Sequence, residues 1–374
     1  MSTWIISCGG TGGHLAPGIA LAEGLTDRGH RVTLLISRKK VDARLVEKYP
    51  QFEFLRVPGT GFSWHPVKLA RCLVSQARGF LFCLRLVRRL RPDGIVAFGG
   101  FTSAGVALAG RLRKVPVALH ESNRVPGLAV RALGGMTQRV YLPTGVRLAS
   151  ARARNIRHVG MPVRREISAM PRAEACQRLG LAPTRSVLVV FGGSQGSGPL
   201  NGWVQARLGE LAAEGIQVYV VTGPGKGEAR SVELPAATGE TVKSIFVPFC
   251  DDVAALMSAA DLVVSRAGAG TIAELIRCAT PAILVPYPHA ADDHQRANAA
   301  FFERQGGGFV VEQTALDRLQ SEVIDTIFND WLLRRFRANL QRMDRANPLR
   351  LMLADLEDLA APAPTTPSER TVPA

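Results

Sequence analysis

A chain of 374 residues, 47% hydrophobic and 21% charged, is too long for one ordinary core and too apolar to stay disordered, so two globular domains are expected. Its net charge of +15 is one-sided: residues 1–160 hold 25 Lys/Arg against 7 Asp/Glu, and residues 161–374 hold 21 against 24. No run of about 18 apolar residues could span a bilayer, and the six cysteines (Cys8, Cys72, Cys83, Cys176, Cys250 and Cys278) form no C-x-x-C pair, which excludes a zinc ribbon and a dithiol redox motif.

In chain order, the first strand is expected over residues 3–8. It runs into GGTGGH (9–14), four glycines within five residues and then a histidine. Leu15, Ile19, Ala22 and Leu25 form a helical stripe that Gly29 closes. Glycines after a strand let the backbone approach a phosphate, and the next helix offers its free N–H groups. The dinucleotide fingerprint fails here, because its third glycine would fall on Leu15. Further strands are expected at 31–36, 52–57, 94–98, 115–120 and 139–142. Strands alternating with helices make a parallel sheet covered on both faces, an α/β architecture. Between them, residues 60–92 interleave Phe62, Trp64 and many aliphatic residues with Lys68, Arg71, Arg78, Arg85, Arg88, Arg89 and Arg91, and no acid occurs from residue 54 to 92. Two readings weigh on this segment, a core helix with a solvated basic face or a surface that docks on anionic lipid; the single sign of the charges favours the second.

The pattern restarts near Gly160-Met161-Pro162. SVLVVF (186–191) is followed by GGSQGSG (192–198), where Ser194 and Gln195 supply polar groups for a diphosphate. Strands follow at 218–222, 245–249, 261–265 and 282–286. SRAGAGTIAEL (265–275) satisfies the relaxed G-x-G-x-x-G/A pattern, so a nicotinamide-dependent oxidoreductase stays open at this point. PHAADDHQRANA (288–299) gathers His289, Asp292, Asp293 and His294 at irregular spacing without a cysteine, which suits sugar contacts through Gln295 better than a metal. Residues 330–359 read as helical, and a Pro-rich tail ends the chain. Both glycine turns lie at carboxyl ends of strands and are expected to line a cleft between two doubly wound domains.

The series GGTGGH, HESN (120–123), GMPVR (160–164), GGSQG, SRAGAGTIAE and HQRANA resembles, in content and order, that of the bacterial N-acetylglucosaminyltransferases that convert lipid I into lipid II for peptidoglycan. The resemblance covers residues 3–313. It implies a GT-B fold, with residues 1–161 as the acceptor and membrane-facing domain and 162–360 as the UDP-sugar domain. The last helix, about 335–360, is a candidate to pack back on the first domain, and 361–374 form a disordered tail. It also implies an inverting transfer from UDP-N-acetylglucosamine, with no cofactor and no metal. Thr11, Gly12 and Gly13 would contact the donor, with Asn123 beside the transferred sugar. Arg164 and Ser194 would face the diphosphate, Cys250 the uracil, and Ala269, Gly270, Thr271, Ile272, Ala273 and Glu274 the nucleotide, with Glu274 on the ribose. Gln295 would hold sugar hydroxyls. The chain departs from the family pattern at Ser122, where Gln is usual, and at Gly198, where an Arg is common. The 98–105 loop also lacks a Pro.

A base must take the proton of the attacking hydroxyl. His14 is the first candidate, since an imidazole titrates near neutral pH, and Glu121 is the second. The implied partners are UDP-N-acetylglucosamine, undecaprenyl-linked lipid I and an anionic membrane surface, with no nucleic acid, at the cytoplasmic face of the cell membrane. A glycosyltransferase with another lipid acceptor and a nucleic-acid-binding protein stay as alternatives; no aromatic recognition motif supports the latter.

Overall fold

The computed structural model describes residues 1–9, 12–37, 45–59 and 66–361, with the side chains of residues 66–71 left aside. Thr11, Phe62, Trp64 and the Pro-rich end beyond residue 361 lie outside the described residues, as do the side chains of Lys68 and Arg71.

Two seven-stranded sheets carry the fold. The first uses β1 (Thr3–Ser7), β2 (Arg31–Ile36), β3 (Glu53–Arg56), β4 (Gly94–Ala97), β5 (Val117–His120), β6 (Arg139–Leu142) and β7 (Ile156–His158) in the order β3-β2-β1-β4-β5-β6-β7, all parallel. The second uses β8 (Val187–Phe191), β9 (Gln217–Val221), β10 (Arg230–Pro235), β11 (Thr241–Val247), β12 (Leu262–Ser265), β13 (Ala282–Leu284) and β14 (Gly308–Val310) in the order β10-β11-β9-β8-β12-β13-β14. Only the β10–β11 pair at its edge is antiparallel. With that edge strand set aside, both sheets reverse direction at the same place, between β1 and β4 in one and between β8 and β12 in the other.

The central strands are buried on both faces because helices cover both, and alternate residues serve alternate faces. Trp4, Ile6, Leu34 and Val96 pack on the side of α1 (Gly12–Asp27). Ile5, Leu35, Ile95 and Leu119 pack on the side of α2 (Pro66–Leu90) and α3 (Phe101–Leu112). The strands that the sequence pattern misses have clear reasons. β7 and β14 have three residues each, and β10 is a half-exposed edge strand that ends on Pro235.

The helical stretch expected as one near the end is two helices. One (Asp330–Asp344) packs on the second domain, with Phe336 edge-on to Phe309 at 5.3 Å between ring centroids. The other (Pro348–Ala360) buries Met352, Leu353 and Leu356 in the first domain's core. Pro348 disfavours helical geometry at the residue before it, and Asn347 instead takes φ +39° and caps the final helix through Arg350 N–H. Asp355 of that helix accepts from Tyr141 Oη (2.7 Å), Arg139 Nε (3.0 Å) and Arg157 Nε (3.1 Å).

Candidate active site

In a doubly wound sheet, two neighbouring loops diverge where the strand order reverses and open a crevice beyond the carboxyl ends. In the first domain those loops follow β1 and β4, the first glycine turn and Phe98-Gly99-Gly100. In the second they follow β8 and β12, GGSQGSG and Arg266-Ala267-Gly268. The motifs singled out in the sequence thus occupy both reversal points.

His14 is the third residue of α1 and half-buried. Its ring lies against Gly99 and Gly100, which take φ +91° and +73°. A Cβ at Gly100, whose φ already favours glycine, would stand 3.2 Å from His14 Nδ1 and crowd the imidazole. His120 lies below, fully buried against the Phe98 ring. Burial, with repulsion from His14, outweighs its hydrogen bond to Gly160 and pushes its pKa down to about 4. It is therefore neutral at pH 7. Nε2–H donates to the Gly160 carbonyl at 3.2 Å, tying the HESN motif to the segment that joins the domains.

Glu121 is buried, and its oxygens accept from Asn123 N–H (2.8 Å), Asn123 Nδ2 (3.1 Å) and Gly127 N–H (2.7 Å). Both oxygens brace their own loop. Asn123 Oδ1 accepts from Asn298 Nδ2 of the second domain at 3.1 Å. Asn298 also donates to the Ala267 carbonyl and accepts from Arg124 N–H. Arg124 lies 4.1 Å over the Phe301 ring, and Arg131 pairs with Asp292 at 2.6 Å. The HESN loop of the first domain is thereby clasped to the start of α9 (His294–Arg304; the intervening helices are α4, Leu128–Leu133; α5, Arg172–Leu179; α6, Gly198–Ala213; α7, Val253–Ala259; α8, Ala269–Arg277).

On the second domain, close packing fixes the second glycine turn. A Cβ on Gly196 (φ +65°) would meet the Thr222 carbonyl at 2.0 Å. Ser194 and Gln195 remain at the exposed tip. Helix α8 begins at Ala269 with Gly268 as an N-cap that has no side chain to cap it, so the N–H groups of Ala269, Gly270 and Thr271 face the crevice end of the helix. Ile272 is buried and Ala273 half-buried. Glu274 faces Arg164, with Oε1 3.6 Å from Nη2. Burial raises the Glu274 pKa and the Arg164 charge opposes it. Arg164, itself buried, also binds Glu166 at 2.6 Å and lies 3.5 Å from Tyr49 Oη, while its Nε has no partner among the described residues. Cys250 is half-buried; its thiol donates to the Asp252 carbonyl, and burial raises its pKa. Gln295 Oε1 accepts from Tyr287 N–H at 2.9 Å. Gly12 and Gly13 form the start of α1. No group of three His, Cys, Asp or Glu among the described residues is placed to hold a metal.

Three residues of the site escape a reading by motif. His120 and Asn298 stand inside quoted motifs, but only their burial marks them. Arg266 is 6% exposed and has no carboxylate partner among the described residues. Its guanidinium donates to the carbonyls of Val285 and Pro286, to Ser197 Oγ (2.9 Å) and to Gln313 Oε1. A buried cation held only by neutral acceptors, beside the second glycine turn, sets a positive field where an anion would bind.

Known proteins match along the whole chain. Residues 4–142 match the glycosyltransferase family 28 N-terminal domain and residues 187–347 the C-terminal domain of the same family. The second match overturns the dinucleotide reading of residues 268–273: that glycine pattern opens a glycosyltransferase helix. A UDP-N-acetylglucosamine–N-acetylmuramyl-(pentapeptide) pyrophosphoryl-undecaprenol N-acetylglucosamine transferase of Opitutus terrae is 63% identical over 96% of this chain and 95% of its own length. The protein of that name from an Acidovorax species is 36% identical over 84% and 76%. In fold, the chain is similar to Acinetobacter baumannii MurG (TM-score 0.72, 23% identity, 95% of this chain and 99% of that one) and to the kitacinnamycin glycosyltransferase (0.72, 17%, 96% and 99%). The chain belongs to glycosyltransferase family 28 and, within it, to the UDP-N-acetylglucosamine–N-acetylmuramyl-(pentapeptide) pyrophosphoryl-undecaprenol N-acetylglucosamine transferases.

Proposed function

We infer that this chain transfers N-acetylglucosamine from UDP-N-acetylglucosamine to the 4-hydroxyl of the muramoyl sugar of lipid I, giving lipid II for peptidoglycan. The observation that carries this reading is the 63% identity to the Opitutus transferase over 96% of the chain.

The reaction is an inverting displacement. The acceptor hydroxyl attacks the anomeric carbon, the bond to the diphosphate breaks, and UDP leaves. His14 takes the hydroxyl proton. Its position at the start of α1, against the Gly99-Gly100 turn, supports that role, and the three loop hydrogen bonds of Glu121 support bracing for that carboxylate instead. Charge that builds on the leaving diphosphate meets fixed donors: the uncapped start of α8, the Ser194 tip and the field of Arg266. Glu274 serves the ribose once Arg164 turns toward the diphosphate, an exchange that its 3.6 Å separation from Arg164 supports. Asn123 and Gln295 hold the transferred sugar, Thr11, Gly12 and Gly13 the donor's reacting end, and Cys250 with Ala269–Ala273 the nucleoside.

The first domain works at the cytoplasmic face of the membrane. No described helix is long and apolar enough to cross a bilayer. Helix α2 buries Cys72, Cys83, Leu86 and Val87 and exposes Leu73, Val74 and Leu81 beside Arg78, Arg85, Arg88 and Arg89. Apolar side chains among cations of one sign suit an anionic leaflet.

The test is transfer of labelled N-acetylglucosamine from its UDP donor to a short-chain lipid I analogue, beside a diacylglycerol acceptor. Label on the lipid I analogue alone is the expected result. Label on diacylglycerol, or none on either, overturns the reading.

A further inference from the structure

The first domain has a second concave feature away from the cleft. It lies at the amino ends of β6 and β7, which open with Arg139 and Ile156, whereas the candidate active site occupies the carboxyl ends. The cavity measures about 420 Å³ and is lined by Arg111, Gln138, Arg139, Arg152, Arg154 and Asn155, among others. Every charged residue in its lining is a cation.

Of the two acids on the last helix next to it, one is already engaged. Asp355 pairs with Arg139 and with Arg157 just behind the cavity. Asp358, one turn on along the last helix, makes no ion pair among the described residues. Arg111, Arg152 and Arg154 are exposed and likewise make none. The carboxylate of Asp355 fixes Arg139 in place. Gln138 Oε1 accepts from Val117 N–H, and Asn155 Nδ2 donates to the Thr137 carbonyl. Guanidinium groups gathered around one hollow repel one another unless an anion enters, and their fork geometry matches phosphate oxygens.

We propose that this arginine-lined cavity of the first domain binds a phosphate-ester anion, as a second anion site separate from the reaction cleft. Its chemistry is shared by a phospholipid headgroup and a soluble phosphate. The inference rests on the cavity alone and stands whether or not α2 docks on a leaflet.

The test uses the full chain with UDP saturating the donor site, so that the diphosphate cradle is already filled. Inorganic pyrophosphate and dihexanoyl-phosphatidylglycerol below its micelle concentration are titrated into the wild-type chain, into Arg152→Gln/Arg154→Gln, and into Arg334→Gln/Arg342→Gln, exposed on the second domain, as an equal loss of charge elsewhere. About 1 kcal/mol per arginine, or about five-fold, predicts roughly 25-fold weaker binding to the first variant. Melting temperature and UDP affinity stay unchanged, and the second-domain variant binds like wild type. Loss of the lipid arm alone identifies a headgroup site; loss of both arms identifies a site for phosphate itself. Equal affinities in all three chains, an equal loss in both variants, or no binding of either probe overturns the proposal.

Discussion

The two domains share one topology and differ in how they handle charge. In the second domain most arginines find an acid nearby: Arg172 with Asp261, Arg178 with Glu174 and Asp252, Arg185 with Glu240, Arg277 with Asp344 and Arg296 with Glu312. In the first domain, among the described residues, the cations that form ion pairs meet acids from beyond residue 160, and four of these cations do so on the final helix, which packs in this same domain. Arg28 and His30 meet Glu357, Lys48 meets Glu166, Arg131 meets Asp292, and Arg139 and Arg157 meet Asp355. The charge surplus of residues 1–160 therefore does two things. Part of it holds the final helix and the second domain in place, and among the described residues further cations face outward on α2, on the end of α3 and around the arginine-lined cavity. A fold fixed by buried apolar strands leaves surface charge free to differ.

The largest expected effect breaks the reaction and leaves both domains intact. His14→Ala is expected to lower single-turnover transfer by about 10²–10⁴-fold, with donor affinity within about two-fold of wild type. Near-normal turnover would remove His14 as the base.

The next effect separates the domains by pH. The folded pKa of His120, about 4, lies below the ordinary value of 6.5. As pH falls, the unfolded chain takes up that proton first. The stability His120 contributes is complete above pH 6.5 and is lost between 6.5 and 4, on the order of 3 kcal/mol in all. Urea unfolding at pH 7.5 and 4.5 is expected to show that loss in the wild type and not in His120→Gln. An identical pH slope in the two chains would sink the assignment.

A smaller effect sharpens the contrast in the second domain. Arg266→Met removes a buried cation that no carboxylate among the described residues balances, and is expected to weaken UDP-N-acetylglucosamine binding by about ten-fold, measured by calorimetry. Unchanged affinity would confine Arg266 to packing. The smallest effect compares surface arginines. Arg178→Ala, in a pair half-exposed on both sides, is expected to change stability by under about 1 kcal/mol and to leave vesicle binding untouched. Arg88→Gln, on the first domain, is expected to weaken binding to phosphatidylglycerol vesicles by about five-fold. Equal vesicle binding by the two variants would erase the electrostatic difference between the domains.

Much of this protein was legible before any coordinates. Apolar runs such as SVLVVF fix buried parallel strands because helices must cover both faces, and a glycine turn after such a strand marks a loop at a carboxyl end. The motif series named the reaction, and the charge count placed the basic surplus in residues 1–160. What the sequence did not carry is whatever depends on which loops meet. Asn298 bridges two domains only because the β5 loop and the start of α9 close on each other. His120 and Arg266 look like ordinary polar residues until burial sets the protonation of one and leaves the other a cation held, among the described residues, by neutral acceptors. Gln295 and Ser194 lie in their quoted motifs, but which polar atoms their neighbours already engage was settled by packing. The helix after Asn347 reads like a continuation of the one before it, and only tertiary contact assigns it to the first domain. Local pattern determines elements because burial and backbone geometry act over a few residues. Partners, protonation and buried charge follow from groups distant in sequence, so the tertiary structure alone decided them.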